Sequence, residues 1–402
     1  MSEFSKGEAM RELAMRLDAL VVFRDLLHDP VISSLGDLVR DPGVSTYATF
    51  VAALVERGGS AGLSGYVREA VCDDENPYTR LRAAGEEVPA SMQRAVEEEL
   101  ETFQQVADLT VDDLRSGLPG ERFLPAFEEG ERVRLAHTYH ARVEDMGRYG
   151  FGIYARYRMF LLDDDGAIEP VKYPDPVRLS ELVDYEREKR VILDNTRALL
   201  AGRPAANILL TGDAGTGKSS TVKAVVNELA GEGLRILQVR KDQLHQIPEL
   251  LDALTANPLK FILFIDDLSF SANDDNYAAL KAILEGSVSA KSGNVVVYAT
   301  SNRRHLVKES FSDREGDEVH RNDTMQEIIS LSERFGIHVS FYRPDKRTYL
   351  DIVRSLAAQR GLAADPEALD AAAEKFALRR GGRSARGARQ FVDAVESGSV
   401  AL

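Results

Sequence analysis

The chain contains no tryptophan, and Cys72 is its only cysteine in 402 residues. A single cysteine excludes an internal disulfide, and the lack of paired Cys or Cys/His spacing argues against a structural zinc site. We interpret Cys72 as a small packing residue rather than a nucleophile. No apolar run approaches the roughly 18 residues of a membrane helix, and the N-terminus lacks the apolar core of a signal peptide. We therefore expect a cytoplasmic protein with no membrane partner.

Histidine and basic charge are also scarce. His137 and His140 are spaced to share one face of a helix, but no carboxylate or third histidine joins them at ligand spacing, so no metal site is predicted there. The formal net charge is −15, and about 33 acidic against 20 basic residues lie in 1–180. This acidic front argues against nucleic-acid binding by the whole surface, although it leaves room for a local basic groove.

One stretch, Asn207–Ser220 (NILLTGDAGTGKSS), carries a complete chemical motif. A short apolar run leads into the spacing Gly-x-x-x-x-Gly-Lys-Ser, and a helical pattern follows. Strand, glycine-rich loop and helix in this order predict a P-loop. The alternative is a chance glycine-rich turn before a helix. The predicted phosphate-binding residues are Gly212, Asp213, Ala214, Gly215, Thr216, Gly217, Lys218, Ser219 and Ser220.

The residue types of this loop suit phosphate chemistry. Glycine allows the backbone to curl with its N–H groups pointing inward, and the helix N-terminus behind the loop adds unpaired N–H groups and a positive dipole end. We expect Lys218 to reach the β- and γ-phosphates of ATP, and Ser219 to ligate Mg²⁺ through its hydroxyl.

A second motif, Phe261–Asp267 (FILFIDD), is an apolar run that ends in two acids, as a buried parallel strand would. Because the carboxyl end of such a strand faces the ligand crevice, Asp266 is predicted to hold Mg²⁺ and Asp267 to orient a water for attack on the γ-phosphate. The next strand leads to Asn302, whose amide is predicted to contact that water or the phosphate. The alternatives are a helix N-cap for the acids and a turn for Asn302.

Strand patterns alternate with helical patterns through the back half of the chain. This alternation predicts an α/β fold: a mainly parallel P-loop sheet with helices on both faces, followed by a C-terminal helical lid subdomain. We expect the first and third strands to finish side by side at the site. The five predicted strands are Asn207–Thr211, Leu234–Val239, Phe261–Ile265, Val295–Thr300 and Ile337–Phe341.

The front of the chain is predicted to be mostly α-helical and to serve interaction. Within it, Gly58–Gly65 is predicted as a loop and Glu121–Met146 as helix. The aromatic stretch Tyr149–Leu162 is predicted to pack rather than to stack on bases, and Asp163–Asp165 to form a solvated turn. The predicted parts are the N-terminal domain (1–148), a junction (149–176), the nucleotide-binding domain (177–343) and the lid subdomain (344–402).

Taken together, the motifs resemble those of the AAA+ ATPases over about Val177–Leu402, and the whole chain resembles a domain-of-unknown-function family, 815, of predicted AAA+ ATPases. The resemblance implies that Arg334 acts as an arginine finger on the nucleotide of a neighbouring subunit. It also implies that Arg386 closes the lid on the phosphates of its own subunit, a role that suits a forked, permanently charged side chain. The alternatives are a surface ion pair for Arg334, and Arg383 or Arg389 in place of Arg386.

The implied function is Mg²⁺-dependent hydrolysis of ATP by a homo-oligomer that drives or switches the remodelling of a protein or nucleic-acid partner. The resemblance implies ATP and Mg²⁺ as cofactors. Lys218, Asp266, Asp267, Asn302 and Arg334 are the implied catalytic residues, with Ser219 and Asp266 on the metal.

Two departures from the family pattern favour a nucleotide-gated switch over a polypeptide-threading motor, and the first of them also favours slow turnover. Asp267 stands where most of the superfamily has glutamate, so its carboxylate is one methylene short, and a misplacement of about 1 Å costs roughly 10²-fold in rate. Arg240–Leu244 lacks the aromatic residue with which many threading machines grip a polypeptide. The alternative function is thus a slow nucleotide-gated switch or loader-like module. A small-molecule P-loop kinase is a third hypothesis, which Asn302 and Arg334 disfavour. The charged insertion Glu309–Asp323 is interpreted as a solvated loop.

Overall fold

The computed structural model describes residues 3–268, 280–281, 284, 293–302 and 333–402, and the chain divides into two units, Met1–Arg156 and Tyr157–Leu402. The insertion Glu309–Asp323 lies outside the described residues. In the described part of the chain, no helix combines the length and the apolar composition needed to cross a membrane.

The first unit is built from α-helices, as the sequence predicts. Short 3-10 turns join several of them, at Arg24–His28, Gly59–Ala61 and Glu121–Phe123. The helices are α1 (Glu3–Asp18), α2 (Pro30–Arg40), α3 (Val44–Gly58), α4 (Gly62–Asp73), α5 (Pro77–Ala84), α6 (Ala90–Ala107), α7 (Val111–Arg115), α8 (Leu135–Glu144), α9 (Met146–Tyr149) and α10 (Ile153–Arg156).

Local chemistry explains where these helices start. Asp29 caps α2, since its carboxylate accepts hydrogen bonds from the N–H groups of Val31 and Ile32, and Pro30 occupies the first helical position. In the core, the ring of Phe23 meets those of Phe103 and Tyr139 edge to face. Packing of the apolar helix faces thus holds the unit together.

Two predictions for this unit are wrong for one shared reason. Gly58–Gly65 is not a loop, because Gly62 begins α4. Within Glu121–Met146, the α-helix begins only at Leu135, and Glu121–Phe123 forms a 3-10 turn. The backbone of Glu128 accepts a hydrogen bond from the N–H of Leu63 at 2.8 Å, so an extended segment docks on the start of α4. A Cβ on Gly62 would lie 2.4 Å from the Glu128 oxygen, so glycine here serves close backbone approach rather than a turn.

The second unit contains a seven-stranded sheet in the order β2-β1-β4-β5-β6-β3-β7. β1 and β2 pair antiparallel, and all other neighbours are parallel. The five predicted strands are confirmed to within one residue at each end. The strands are β1 (Met159–Leu162), β2 (Ile168–Pro170), β3 (Ile208–Gly212), β4 (Leu234–Val239), β5 (Lys260–Ile265), β6 (Val295–Ser301) and β7 (Ile337–Phe341).

The hairpin β1–β2 was not predicted. It covers 159–170, inside the stretch assigned to a junction, and the two-unit division falls at 156/157. Asp163 forms its turn: one carboxylate oxygen accepts from the N–H groups of Asp165 and Ala167. The hairpin escaped detection because β1 has only four residues, too few to display a clear period-two pattern.

Both faces of the central strands are covered. Ile208 and Leu210 pack with α11 (Glu186–Leu200) and α12 (Lys218–Leu229) in one core, and the alternate side chains Leu209 and Leu263 are also buried. Because Asp184 and Tyr185 adopt left-handed backbone conformations, α11 begins only after them. The described helices that connect or precede the sheet strands are α11 (Glu186–Leu200), α12 (Lys218–Leu229) and α13 (Ile247–Thr255).

Three C-terminal helices form a lid subdomain with a core of its own, in which Tyr349, Val353 and Phe391 are fully buried. Ser384 caps the last helix by accepting a hydrogen bond from the N–H of Gly387 at 3.0 Å. The helices are α14 (Lys346–Gln359), α15 (Pro366–Arg379) and α16 (Ala385–Glu396).

One buried acid in the first unit works against stability. Asp74 follows α4, accepts a hydrogen bond from Asn76 at 2.9 Å and is 8% exposed. Burial, and to a lesser degree the nearby charge of Asp25, raises its pKa from 3.8 to about 6, against the opposing effects of Asn76 and Arg156. The unfolded chain therefore ionises Asp74 before the folded chain does, and stability is lost as the pH rises through this window.

Asp74→Asn should thus raise the free energy of unfolding by about 2–3 kcal/mol at pH 7.5 and by little below pH 4. Urea denaturation at both pH values, with hydrogen exchange of the α4 amides, measures the change. Glu75→Gln, on the exposed neighbour, is the control and should shift stability by no more than about 0.5 kcal/mol. A gain that does not depend on pH, or no gain at all, contradicts the assignment.

Candidate functional site

The glycine-rich loop lies between β3 and α12, as predicted. Gly212, Gly215 and Gly217 have φ angles of 140°, 78° and 98°, a region that other residues rarely adopt. A Cβ on Gly212 would lie 1.9 Å from the backbone oxygen of Phe341 in β7. Inside the loop, the hydroxyl of Thr216 donates to the Asp213 carbonyl at 2.9 Å. Glycine at these positions therefore sets both the curl of the loop and its seat against the sheet.

Lys218 lies at the start of α12 and is 5% exposed. Its Nζ donates to the carbonyl oxygens of Gly212 and Asp213, each at 2.9 Å, and to Oδ1 of Asn302 at 3.0 Å. Burial lowers the pKa of Lys218, and the negative charge of Asp266 is the strongest of the opposing effects. The ammonium group is thus held at the centre of the loop by neutral oxygen acceptors.

Asp266 joins three strand ends. Its Oδ1 accepts hydrogen bonds from the hydroxyl of Ser219 at 2.7 Å and from that of Thr300 at 2.6 Å. Ser219 follows β3, and Thr300 lies in β6, which separates β3 from β5 in the sheet. The first and third predicted strands are β3 and β5, and a side-by-side arrangement would require them to be neighbours in the sheet. They are not neighbours, but their carboxyl ends meet through the carboxylate of Asp266.

Asp267 has an unusual backbone. Its φ is +56°, a left-handed conformation that aspartate tolerates better than most residues. Its N–H donates to the Thr300 hydroxyl at 2.9 Å, and its carboxylate accepts from Nδ2 of Asn302 at 2.6 Å. Asn302 therefore contacts Lys218 with one side-chain atom and Asp267 with the other.

These groups surround a cavity of about 390 Å³, which lies within the usual size range of small-molecule sites. The structure brings most of the predicted residues to it: Ala214, Gly215, Gly217, Lys218, Ser219, Ser220, Asp266, Asp267, Asn302 and Arg386. Gly212, Asp213 and Thr216 shape the loop without lining this cavity.

Two of the three candidate lid arginines reach the cavity. Arg386 and Arg389 line it, and the N–H of Arg386 donates to the carbonyl of Gly215 at 3.1 Å. Arg383 instead forms a two-pronged ion pair with Glu374, with both distances 2.8 Å. This contact leaves Arg386 and Arg389 as the lid cations nearest the loop.

Sequence reasoning missed three residues of the site, one of which is Ala385 at the start of α16. Thr300 is 2% exposed and contacts both acids, and Leu182 lines the cavity from the segment before α11. A hydroxyl near the carboxyl end of an otherwise apolar strand was the available signal for Thr300. Nothing in the sequence marked Leu182, since its place depends on the left-handed turn that follows it.

Arg334 is not among the described residues that line the cavity. It precedes β7, whose residue Ile337 pairs with Ile208 at the start of β3. Because the strands are parallel, Arg334 lies toward the amino ends of the strands, opposite the edge that carries Lys218. It is therefore not placed to reach the loop of its own chain.

The oxygen donors suit a hard cation. Ser219 Oγ and Asp266 Oδ1 are 2.7 Å apart, and both are the donor type that Mg²⁺ prefers. No separate cluster of three or more metal-ligating residues is found within the described ranges. Nε2 of His140 lies 3.1 Å from a carboxylate oxygen of Glu97.

Comparison with known proteins gives a family match over residues 155–399, to the family described as "Protein of unknown function (DUF815)". The predicted resemblance to domain-of-unknown-function family 815 is thereby confirmed over these residues. No curated protein matches the chain.

Solved structures give weaker likenesses. The RuvB Holliday junction branch migration motor of Thermotoga maritima is 17% identical, with a TM-score of 0.37, over 55% of this chain and 64% of that one. The AAA domain of FIGL-1 in complex with ADP is also 17% identical, with a TM-score of 0.37, over 56% of this chain and 74% of that one. The match thus spans less than two thirds of the RuvB chain.

The contact between Gly212 and Phe341 makes a direct prediction. Gly212→Ala places a methyl group against the β7 backbone in a left-handed conformation, and we expect a loss of at least about 2 kcal/mol in unfolding free energy. Gly231→Ala is the matched control, because a Cβ there meets nothing within 4 Å. Equal urea midpoints for the two variants would show that the loop is not seated on β7.

Proposed function

The chain belongs to the DUF815 family, and from that membership and the geometry of the loop we propose that it binds ATP with Mg²⁺ and hydrolyses it as an AAA+-type ATPase. The nucleotide cycle drives or switches the remodelling of a macromolecular partner. The observation that carries the proposal is the meeting of Lys218, Ser219 and Asp266 at one cavity beside the loop. A buried lysine, a hydroxyl and a carboxylate in this arrangement match what triphosphate binding needs.

Lys218 binds the β- and γ-phosphates. In the structure its Nζ contacts three neutral oxygens, and these contacts are exchanged for charged phosphate oxygens when nucleotide binds. The exchange is favourable because hydrogen bonds between ions are stronger than those to neutral acceptors. Burial lowers the pKa of Lys218, and a polyanion beside it acts in the opposite direction, so nucleotide stabilises the charged form.

Ser219 and Asp266 would hold the metal. Mg²⁺, when bound, supplies positive charge that offsets the charge developing on the phosphates. Thr300 keeps Asp266 in place through its hydrogen bond at 2.6 Å, and its burial makes that position rigid. The carboxylate is thereby oriented toward the loop before any ligand arrives.

Asp267 orients the attacking water, and Asn302 positions Asp267. The short side chain reaches less far than glutamate would, and its carboxylate is engaged by the Asn302 amide. Both features favour slow hydrolysis, since Asn302 must release or share that carboxylate before a water can bind to it.

The first test concerns Lys218. Nucleotide at about 1,000 times its Kd should stabilise the wild-type protein by about 4 kcal/mol, and Lys218→Ala should abolish this gain. Lys223→Ala, on the same helix, is the charge-matched control and should keep it. Thermal unfolding with and without Mg²⁺-ATP measures the difference. A wild-type protein that gains no stability from the nucleotide refutes the proposal.

Arg334 completes the site of a neighbouring subunit in a homo-oligomer. Support comes from its location at the opposite edge of the sheet from Lys218, which favours action on another copy of the chain. A guanidinium is suited to the task because it stays charged and can fork onto two phosphate oxygens.

Mixing inactive variants tests this role. Arg334→Ala should lower turnover on the order of 10³-fold, and Lys218→Ala should abolish it. Random mixing of the two should restore about a quarter of the wild-type rate, because one interface in four then pairs an intact loop with an intact finger.

The control mixes Lys218→Ala with Asp267→Asn. Both changes lie on the same side of the interface, so every site in this mixture is defective and no activity should return. ATPase rates at a fixed total protein concentration measure both mixtures. Restoration in neither mixture would place Arg334 outside the neighbouring site.

A slow nucleotide-gated switch is the second candidate. The observation that favours it concerns the segment after β4, which lacks the aromatic residue that threading machines use to grip a polypeptide. This segment is folded, since Lys241–Gln246 forms a 3-10 helix. Gln243 in that helix donates to the carbonyls of Leu162 and Asp163, which anchors it to the β1–β2 hairpin. A single-turnover assay separates the candidates, because a switch hydrolyses ATP more slowly than it releases nucleotide.

A further inference from the structure

The connection between the sheet and the lid subdomain runs directly past the phosphate-binding loop. β7 ends at Phe341 and α14 begins at Lys346, so 342–345 form the hinge between the two parts. The start of this hinge is held in place: the Tyr185 hydroxyl donates to the carbonyl of Tyr342, and the Tyr185 ring packs on that of Phe341 at 4.9 Å. The hinge therefore starts from a fixed point beside the first glycine of the loop.

Arg343, the second residue of the hinge, contacts the loop. Its Nε lies 3.5 Å from Oδ1 of Asp213, the residue that follows Gly212. Both side chains are about half exposed, at 57% and 50%. Ion pairs of this kind contribute about 0–1 kcal/mol to stability, so the pair does little to hold the fold together.

On its other side, Arg343 contacts the lid subdomain. A Cβ added to Gly382 would lie 3.2 Å from Nη1 of Arg343, so the guanidinium packs on the bare backbone of the turn between α15 and α16. That turn leads into α16, where Arg386 donates its N–H to the carbonyl of Gly215. The loop is thus contacted twice by the lid side of the chain, through Asp213 and through Gly215.

We propose that Arg343 is a positioning residue that couples the phosphate-binding loop to the lid subdomain, by bridging Asp213 and the Gly381–Gly382 turn. Through that turn it sets where α16, and with it Arg386, lies over the loop. The test by nucleotide affinity rests on the proposed function, whereas the test by hydrogen exchange of the nucleotide-free protein does not.

The coupling has a chemical basis in the position of Asp213. Its carboxylate carries the loop end of the bridge to Arg343, and it directly follows Gly212, the first glycine of the loop. Phosphates on the loop add negative charge next to Asp213 and compete with it for the guanidinium. Nucleotide occupancy therefore alters the Asp213–Arg343 contact and, with it, the hold of the lid on the loop.

The test compares Arg343→Gln with Arg347→Gln, which removes a charge from another exposed residue, in the first turn of α14. Arg343→Gln should weaken ADP binding roughly three- to tenfold, and Arg343→Lys should recover at least half of the loss in binding free energy. Arg347→Gln should bind as the wild type does. Titration with a fluorescent ADP analogue measures affinity, and the thermal midpoint should stay within about 2 °C of the wild type for all three variants.

A double-mutant cycle adds a readout that a merely structural role would not move. If the two side chains act as one unit, Asp213→Asn combined with Arg343→Gln weakens binding no more than the worse single change does. Effects that multiply, or unchanged affinity in Arg343→Gln, would overturn the proposal.

Hydrogen exchange of the nucleotide-free protein tests the same coupling without ligand. Arg343→Gln should speed exchange in a peptide that includes Arg386 by at least about threefold. The reason is that the hydrogen bond from the Arg386 N–H to the Gly215 carbonyl then opens more often. Unchanged exchange sinks the proposal. Faster exchange in a protein that binds no nucleotide keeps the coupling and refutes the nucleotide-binding function, so the two failures are distinguishable.

Discussion

The site depends on the two hydrogen bonds that the carboxylate of Asp266 accepts. One of its oxygens accepts hydrogen bonds from Ser219, at the start of the helix behind the loop, and from Thr300, in the strand between β3 and β5. Three separate pieces of the chain are thereby fixed at one point. Because Thr300 is buried and donates to this carboxylate, the carboxylate cannot turn away without leaving the Thr300 O–H without its acceptor.

The loop is constrained from behind as well. Gly212 lies so close to the backbone of Phe341 that no side chain fits between them, and β7 leads straight into the hinge and the lid subdomain. Loop, hinge and lid are consequently neighbours through backbone contacts. Under the proposed function, these contacts are the route by which a change at the bound phosphates would reach the lid subdomain, since packed elements shift as units rather than deform gradually.

Particular residues show how far the sequence could be interpreted. The spacing around Lys218 and the acids after Ile265 predicted which residues meet at the cavity, because a P-loop and a buried parallel strand each have a strong local signature. Gly62 had no such signature. A glycine in this stretch suggested a loop, yet Gly62 allows a close backbone contact with Glu128, 66 positions away in the chain. The hairpin β1–β2 was not predicted because its strands are too short to show a pattern in the sequence. Its strands are instead supported by the pairing of β1 with β4.

The sequence by itself determined the family, the five main strands and the chemical groups of the site, since these depend on local spacing and on periodicity along the chain. Tertiary structure alone decided which strand separates β3 from β5, which lid arginines reach the loop, that Thr300 contacts Asp266, and that Arg343 contacts Asp213. The physical reason is that such contacts join residues far apart in the chain. Their geometry follows from strand order and packing, which no local pattern encodes.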